Sequence, residues 1–338
     1  MKDYNGVVLT TPISMGYARQ SPHGAAWFVG SVLREMISAA GLTKKDINGF
    51  SVSSFSLGID SAVALTQHFG LCVRWLEQAN VGGVSGILAL RRAARAVQCG
   101  DADIVACIGG DGAAHRSFEH TAAHFSNWST DAAFPYGAAG PNGPFSLITA
   151  HYMERYQAQR EDFARICLDQ RYNANHFPGA LLGHKKLSLS DYLNARPIAG
   201  PLHLFDCVMP CAGGEGFLVM SEERARQLKL PAVKILAADE CHNAHADDPV
   251  QDRGGWTQYI EGLYNRAAVG PEDVDFLQTY DDYPVISMLQ MEDLGFCGKG
   301  EAPEFVGHTD MRFDGSGSGL NKLPHNTSGG QLSCGQAG

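Results

Sequence analysis

"EQANVGGVSGILALRRAARAVQCGDADIVACIGGDG", residues 77–112, sets a glycine turn, a helix and a buried strand in succession. Gly82 and Gly83 make the turn. The helix expected over 85–97 puts Ile87, Leu88, Leu90, Ala94 and Val97 opposite Arg91, Arg92 and Arg95. "ADIVACIGG" is an unbroken apolar run closed by glycines, the pattern of a strand covered on both faces. A turn of this layout can present a nucleophile at a helix start. Here it carries no cysteine, and its nearest hydroxyl, Ser85, already lies in the helix.

Working outward, "GAAWFVGSVLREMISAA" (24–40) reads as a helix stopped by Gly41, "KKDINGFSVSSF" as a turn and strand, and "SAVALTQHFGL" as a second helix. The second half repeats this order. "AVGPEDVDFLQ" followed by "MLQMEDLGF" parallels "AGLTKKDINGF" followed by "ALTQHFGL", and the pair Gly329-Gly330 follows as Gly82-Gly83 does. A duplicated α/β unit accounts for both halves. Between them, 113–197 is rich in His, Pro, Gly and aromatics, and "DAAFPYGAAGPNGPF" forms a long loop of the kind that usually serves function. "RPIAGPLHLFDCVMPCAGGEGFLVMSEERARQL" then returns to strand, turn and helix and is expected to complete the first half.

Composition narrows the class. The chain has 338 residues, 44% of them hydrophobic, and 39 glycines, which suits a compact α/β protein with many tight turns. A formal charge of −10 argues against a nucleic-acid surface, which needs a basic face. No apolar run is long enough to span a bilayer, and the N-terminus lacks the layout of a secretory signal. The nine cysteines are scattered and odd in number, as in a reduced, cytoplasmic protein. Cys207 and Cys211 in "CVMPC" have no second pair to complete a metal clip, so no metal is expected. The ending "SCGQAG" suggests that the second half is cut short.

The ordered set "DINGF", "GGVSGILALRRAARAVQCGDADIVACIGG", "FSLITAHYMERY", "RYNANHFPGALL", "LSLSDYLNARPIAGPLHLFDC", "MEDLGF" and "LPHNTSGGQLSCGQAG" resembles the thiolase superfamily, in particular its sterol-carrier-protein-type branch. The resemblance spans essentially the whole chain. It implies two βαβαβαββ halves in a five-layer αβαβα sandwich, with 1–112 and 198–228 as the N-terminal half. Residues 113–197 would be an inserted loop domain and 229–338 the C-terminal half. It also implies a homodimer acting on acyl-coenzyme A thioesters.

The departures from that family carry the chemistry. Its Asn-x-x-Cys-x-Ser-Gly motif matches Asn80 to Gly86 with Gly83 in the cysteine's place; its Gly-His-Pro motif becomes Gly335-Gln336-Ala337; and its His-Asp-Ala/Cys-Phe motif becomes Tyr280-Asp281-Asp282-Tyr283. Without a thiolate no acyl-cysteine forms. Backbone N–H groups at Gly83 and the helix dipole still favour a thioester oxygen gaining enolate character. Such a platform fits retro-aldol cleavage, with Tyr280 and Tyr283 as proton donors and acceptors and Asp281 or Asp282 orienting them. Tyr283 is equally a core aromatic, and the two aspartates equally a solvated turn.

Chain members of the superfamily that lack the cysteine and act as steroid side-chain acyl-coenzyme A aldolases pair with a small OB-fold, zinc-ribbon protein, and this sequence resembles them. Gln336 is expected to position substrate, His325 either to face the site or to pack, and Lys185, Lys186 and Arg196 to hold coenzyme A phosphates. No tightly bound cofactor is expected. Two alternatives stay open: an acyltransferase using Cys334 as a displaced thiol, and a non-catalytic subunit of a hetero-oligomer.

Overall fold

The computed structural model describes residues 3–112, 129–138 and 140–338. The start of the expected inserted region, 113–128, and Ala139 within the expected loop lie outside the described residues. Contacts divide the chain into two units: 1–113 with 211–240 and 336–338, and 114–210 with 241–335.

The first unit is built on a six-stranded sheet ordered β3-β2-β4-β7-β1-β8. Its strands are β1 (Val7–Ala18), β2 (Gly49–Ser53), β3 (Trp75–Gln78), β4 (Ile104–Asp111), β7 (Ala212–Ser221) and β8 (Ala232–Lys234). β3, β2 and β4 run parallel, whereas β7 is antiparallel to both β4 and β1. Side chains alternate across the sheet. Ile104, Ala106, Ile108, Leu218 and Met220 meet Val29, Val32 and Met36 of helix α1 (Ala25–Ala39) and Leu65 of α2 (Ser61–Phe69). Val105, Cys107 and Val219 meet Ala89, Ala93 and Ala94 of α3 (Ser85–Cys99) on the other face. Cover on both faces is why the β4 sequence shows no polar alternation.

Helix α3 keeps most of its expected face, with Leu90 and Val97 packed partly buried against the core. Leu88, Ala89, Ala93, Ala94 and Ala96 are buried, and Ile87 points out with 66% of its surface exposed. The alanines Ala89, Ala93 and Ala94 pack on the sheet beside Val105, Cys107 and Val219. Arg91 and Arg92 lie part-buried and are neutralised by Glu240 and Glu77 at 2.7 and 2.8 Å.

The second unit is mainly helical. Described helices include α4 (Asn142–Tyr156), α5 (Arg160–His176), α6 (Leu189–Leu193), α8 (Trp256–Ala267), α9 (Pro284–Asp293), α10 (Ala302–His308) and α11 (Gly330–Ser333). Short α7 (Glu222–Gln227) belongs to the first unit. One core joins Tyr152, Phe163, Ile166, Cys167, Val285, Met288, Met291, Val306, Met311 and Leu323, so the described part of the inserted region shares its core with the second half. The stretch expected to complete the first half divides. Its hairpin β5 (Pro197–Ala199) and β6 (Leu202–His203) lies in the second unit, and the first unit resumes at Cys211.

The repeated sequence order becomes a repeated local structure. Asp46 accepts the Thr43 N–H at 2.8 Å, and Asp273 accepts the Gly270 N–H at 2.8 Å, each closing a 3-10 turn before an extended segment. Each segment then leads into a helix that ends at a left-handed glycine, Gly70 or Gly295. The extended segments differ. β2 lies within the sheet, while Leu277 is held by the Pro324 carbonyl at 2.9 Å and by the Asn326 N–H at 3.0 Å. On its far side, 321–325 pairs with β9 (Thr309–Asp310) through β10 (Asn321–Lys322) and with Met311. The outcome is a short parallel ladder of three segments.

No described helix is long and apolar enough to cross a membrane. At Gly216 in β7, an added Cβ would stand 2.8 Å from the Cys107 carbonyl oxygen, 2.9 Å from Val32 and 3.0 Å from Met36. Helix α1 therefore needs a glycine there to seat on the sheet. Gly216→Ala should lower unfolding stability by about 1–3 kcal/mol in denaturant titration, the usual cost of overpacking.

Candidate functional site

Three parallel strands of the first unit end at one edge. β3 is followed by the glycine turn, β2 by Ser54–Ser56, and β4 closes on Asp111. In open α/β sheets ligands bind outside such carboxyl ends. Gly82 takes a left-handed φ of 72°, a 3-10 turn covers Gly82–Val84, and α3 begins at Ser85. The Ser85 hydroxyl donates to the Gly82 carbonyl at 2.6 Å and accepts the Val81 N–H at 3.3 Å, so it braces the turn. Gly83 is exposed and lies at the positive end of a 15-residue helix.

Gln336–Gly338 reach the same edge. The Gln336 N–H points to Cys211 Sγ at 3.2 Å, and that thiol donates to the Gln336 carbonyl at 3.0 Å. Burial pushes the Cys211 thiol up to about 12, so it stays protonated. Asp111, 6% exposed, accepts from the Ser54 and Ser56 hydroxyls, from the Phe55 and Ser56 N–H groups, and from the Gly338 N–H at 2.8 Å. Ser53 Oγ donates to the Gly338 carbonyl at 2.8 Å. Asp111 was missed from sequence; its signal was a lone acid closing an otherwise apolar strand.

In the second unit, the segment after Leu277 carries Tyr280 to Tyr283 into α9. Residues two apart share a side of an extended chain. Accordingly the Tyr280 hydroxyl donates to Asp282 Oδ2, while Asp281 and Tyr283 are buried among other groups. Asp281, 1% exposed, accepts the Gln331 N–H at 2.9 Å and the Leu332 N–H at 3.4 Å. Burial raises its carboxyl to about 7 against those bonds. The pair Gly329-Gly330 makes this approach possible. A Cβ on Gly330 would fall 2.0 Å from Asp281 Oδ2, and one on Gly329 2.5 Å from the Ala174 Cβ. Asp282, not Asp281, is therefore the aspartate that holds Tyr280.

Backbone groups of this segment are held by side-chain amides. Asn326 Oδ1 accepts the Thr279 N–H at 2.9 Å, and Gln290 Oε1 accepts the Tyr280 N–H at 3.1 Å. Gln290 Nε2 donates to the Tyr280 carbonyl at 2.7 Å and to the Ile286 carbonyl at 3.0 Å. Neither amide stood out in the sequence, although Ser287 and Gln290 are spaced to share one face of an apolar helix.

The remaining expected residues are placed as follows. Tyr283 is a core side chain: its hydroxyl donates to Asn142 Oδ1 at 2.6 Å, its ring stacks on Phe145 at 4.5 Å, and burial pushes the phenol far above its usual range. Cys334 is buried, and its carbonyl accepts the Leu181 N–H at 2.7 Å. Lys185, Lys186 and Arg196 are exposed, with no ion pair among the described residues. His325, 1% exposed, shares a 2.7 Å hydrogen bond between Nε2 and Thr279 Oγ1, which also bonds Ser287 Oγ at 2.8 Å. Burial lowers its imidazole to about 3, so it is neutral at pH 7.

That neutrality carries a stability cost in acid. The unfolded imidazole takes a proton near pH 6.5 and the folded one only near pH 3, so stability falls as pH drops through this window. Asp281 acts in the opposite sense between about pH 4 and 7, because the fold holds its proton longer. Comparison with His325→Asn separates the two. Wild type should lose about 2 kcal/mol more than this variant between pH 7 and 5 in urea unfolding.

Comparison with known proteins finds relatives over most of the chain's length. Residues 238–338 match the family described as Thiolase C-terminal domain-like. The steroid side-chain-cleaving aldolase of Thermomonospora curvata is 29% identical over 88% of this chain and 78% of its own length. The 17-hydroxy-3-oxo-4-pregnene-20-carboxyl-CoA lyase of Mycobacterium tuberculosis is 28% identical over 94% and 84%. The solved structure of an Ltp2-ChsH2(DUF35) aldolase superposes with a TM-score of 0.84 at 25% identity, covering 99% of this chain and 87% of that one.

Proposed function

We propose that this chain, thiolase-like in sequence and fold, is an acyl-coenzyme A aldolase that cleaves a bulky β-hydroxyacyl thioester of the steroid side-chain type. The observation that carries the reading is the Tyr280 hydroxyl resting on the Asp282 carboxylate, at the end of a segment whose backbone is held on both sides. The names and coverage of the two aldolase and lyase relatives support it.

In the reaction, Tyr280 takes the proton of the substrate β-hydroxyl while passing its own to Asp282. The electrons of that O–H bond form a carbonyl, the Cα–Cβ bond breaks, and its electron pair enters the thioester as an enolate. Tyr280 and Asp282 then return the proton to Cα. A ketone or aldehyde leaves with a shorter acyl-coenzyme A, and no water is consumed. A tyrosine buffered by a carboxylate suits this exchange better than a standing phenolate, because the adjacent negative charge opposes a second one. The turn at Gly83 carries no side chain that could form an acyl-enzyme.

Coenzyme A enters only as part of the substrate, and its phosphates are assigned to the exposed cations Lys185, Lys186 and Arg196. By its name the solved relative is an assembly of Ltp2 with ChsH2(DUF35). We assign this chain a hetero-complex with a small OB-fold, zinc-ribbon partner of that kind, built on a homodimer of the thiolase-like subunit in the cytoplasm.

The test uses 17-hydroxy-3-oxo-4-pregnene-20-carboxyl-CoA, whose 17-hydroxyl is β to the thioester, with the chain and its partner. The expected products are the 17-ketone and propionyl-coenzyme A. Tyr280→Phe should lower kcat by roughly 10²–10⁴-fold, whereas Cys334→Ser should leave it within about twofold. Release of free acid and coenzyme A alone, or an acyl adduct on the protein, overturns the reading.

A further inference from the structure

We infer that Gln290 is a positioning residue that sets the orientation of Tyr280. The inference rests on the reading of Tyr280 as the group that moves the proton. Tyr280 follows Thr279, the last residue of the segment tied to Asn326. The N–H and C=O of Tyr280 are both met by one amide, the Gln290 side chain, whose oxygen accepts the N–H at 3.1 Å and whose nitrogen donates to the carbonyl at 2.7 Å. The amide copies the pair of bonds that a facing strand residue would make.

The geometry of the clamp fixes the phenol. Two bonds to the backbone of one residue hold its φ and ψ, and therefore the direction of its Cα–Cβ bond. The third bond, from Nε2 to the Ile286 carbonyl at 3.0 Å, ties the amide to its own helix. Gln290 is 5% exposed, so water does not compete for these partners. From the same helical face, Ser287 bonds Thr279 Oγ1 at 2.8 Å. Helix α9 thus grips two consecutive residues, Thr279 and Tyr280, the second of them a member of the Tyr280–Asp282 pair. A glutamine with three rotatable bonds loses close to the largest side-chain entropy of any residue on being fixed. An apolar residue of equal length would fill the same space without burying an amide, so the glutamine answers a need for the two backbone partners.

The experiment is a double-variant cycle on the full chain with its partner, using 17-hydroxy-3-oxo-4-pregnene-20-carboxyl-CoA. Gln290→Met keeps the volume and removes both bonds. Gln290→Glu keeps the acceptor for the Tyr280 N–H and serves if the methionine variant does not fold. Either variant should lower kcat by roughly tenfold to a hundredfold with KM within about twofold, as expected when a reacting group is misplaced and binding is intact. In the Tyr280→Phe background the same substitution should lower kcat no further, because its effect passes through the phenol. Equal losses in both backgrounds, or full kcat in a folded Gln290 variant, overturn the inference while leaving the aldolase reading in place. Full activity of Tyr280→Phe alone overturns the assignment of Tyr280 instead.

Discussion

Inside a protein, a backbone that leaves its ladder still has N–H and C=O groups to satisfy, and each one left bare costs about 1–3 kcal/mol. The segment from Leu277 to Asp282 is shaped by that demand. Leu277 is met by backbone, Thr279 by Asn326, Tyr280 by Gln290, and Asp281 turns its own carboxylate to meet the N–H groups opening the short helix at Gly330. Only with these contacts in place does the Tyr280–Asp282 pair have a fixed geometry. Side chains here do the work that a neighbouring strand does around β2, and each is tied to one residue of the chain.

Such an arrangement mixes favourable and unfavourable charge states. Helix α9 is buried on nearly every side yet carries Ser287, Gln290, Glu292 and Asp293. All four find partners: Thr279, Tyr280, the Tyr152 hydroxyl with Lys299, and the Gly254 N–H with Lys299. His325 behind the same segment is kept neutral, whereas burial raises the Asp281 carboxyl and favours its protonated form. An interior with these opposed tendencies is specified by polar fit as much as by apolar packing, and that fit constrains the turn more narrowly than packing could.

The first unit was largely legible in the sequence. Unbroken apolar residues from Ile104 to Ile108 and glycine-closed helices announce a doubly covered strand, and the turn at Gly82 follows from its glycines alone. On α3 the expected Leu88, Leu90, Ala94 and Val97 do face the core, whereas Ala89, Ala93 and Ala96 escaped notice because a stripe of alanines is weakly hydrophobic. In the second half the ladder was hidden, since Thr279, His325 and Asn326 are polar and break the alternation that marks strands. Choosing between Asp281 and Asp282 needed the two-residue period of an extended chain, which is readable only once the segment is known to be extended. The clamps made by Gln290 and Asn326 join residues 10 and 47 apart in the chain, and no local pattern encodes such pairs.

Asp111 shows a different solution to burying a negative charge. Among the described residues its carboxylate is met by neutral N–H and O–H groups, with no lysine or arginine among its hydrogen-bond partners. Dipoles act over short distances and attract no counterions from solution, so added electrolyte hardly weakens them. The part-exposed Arg91 and Arg92 pairs on α3 are ordinary ion pairs that dissolved salt does loosen. The anchoring of the last residues beside β4 is thus built to ignore ionic strength, in a chain whose overall charge would otherwise make it sensitive.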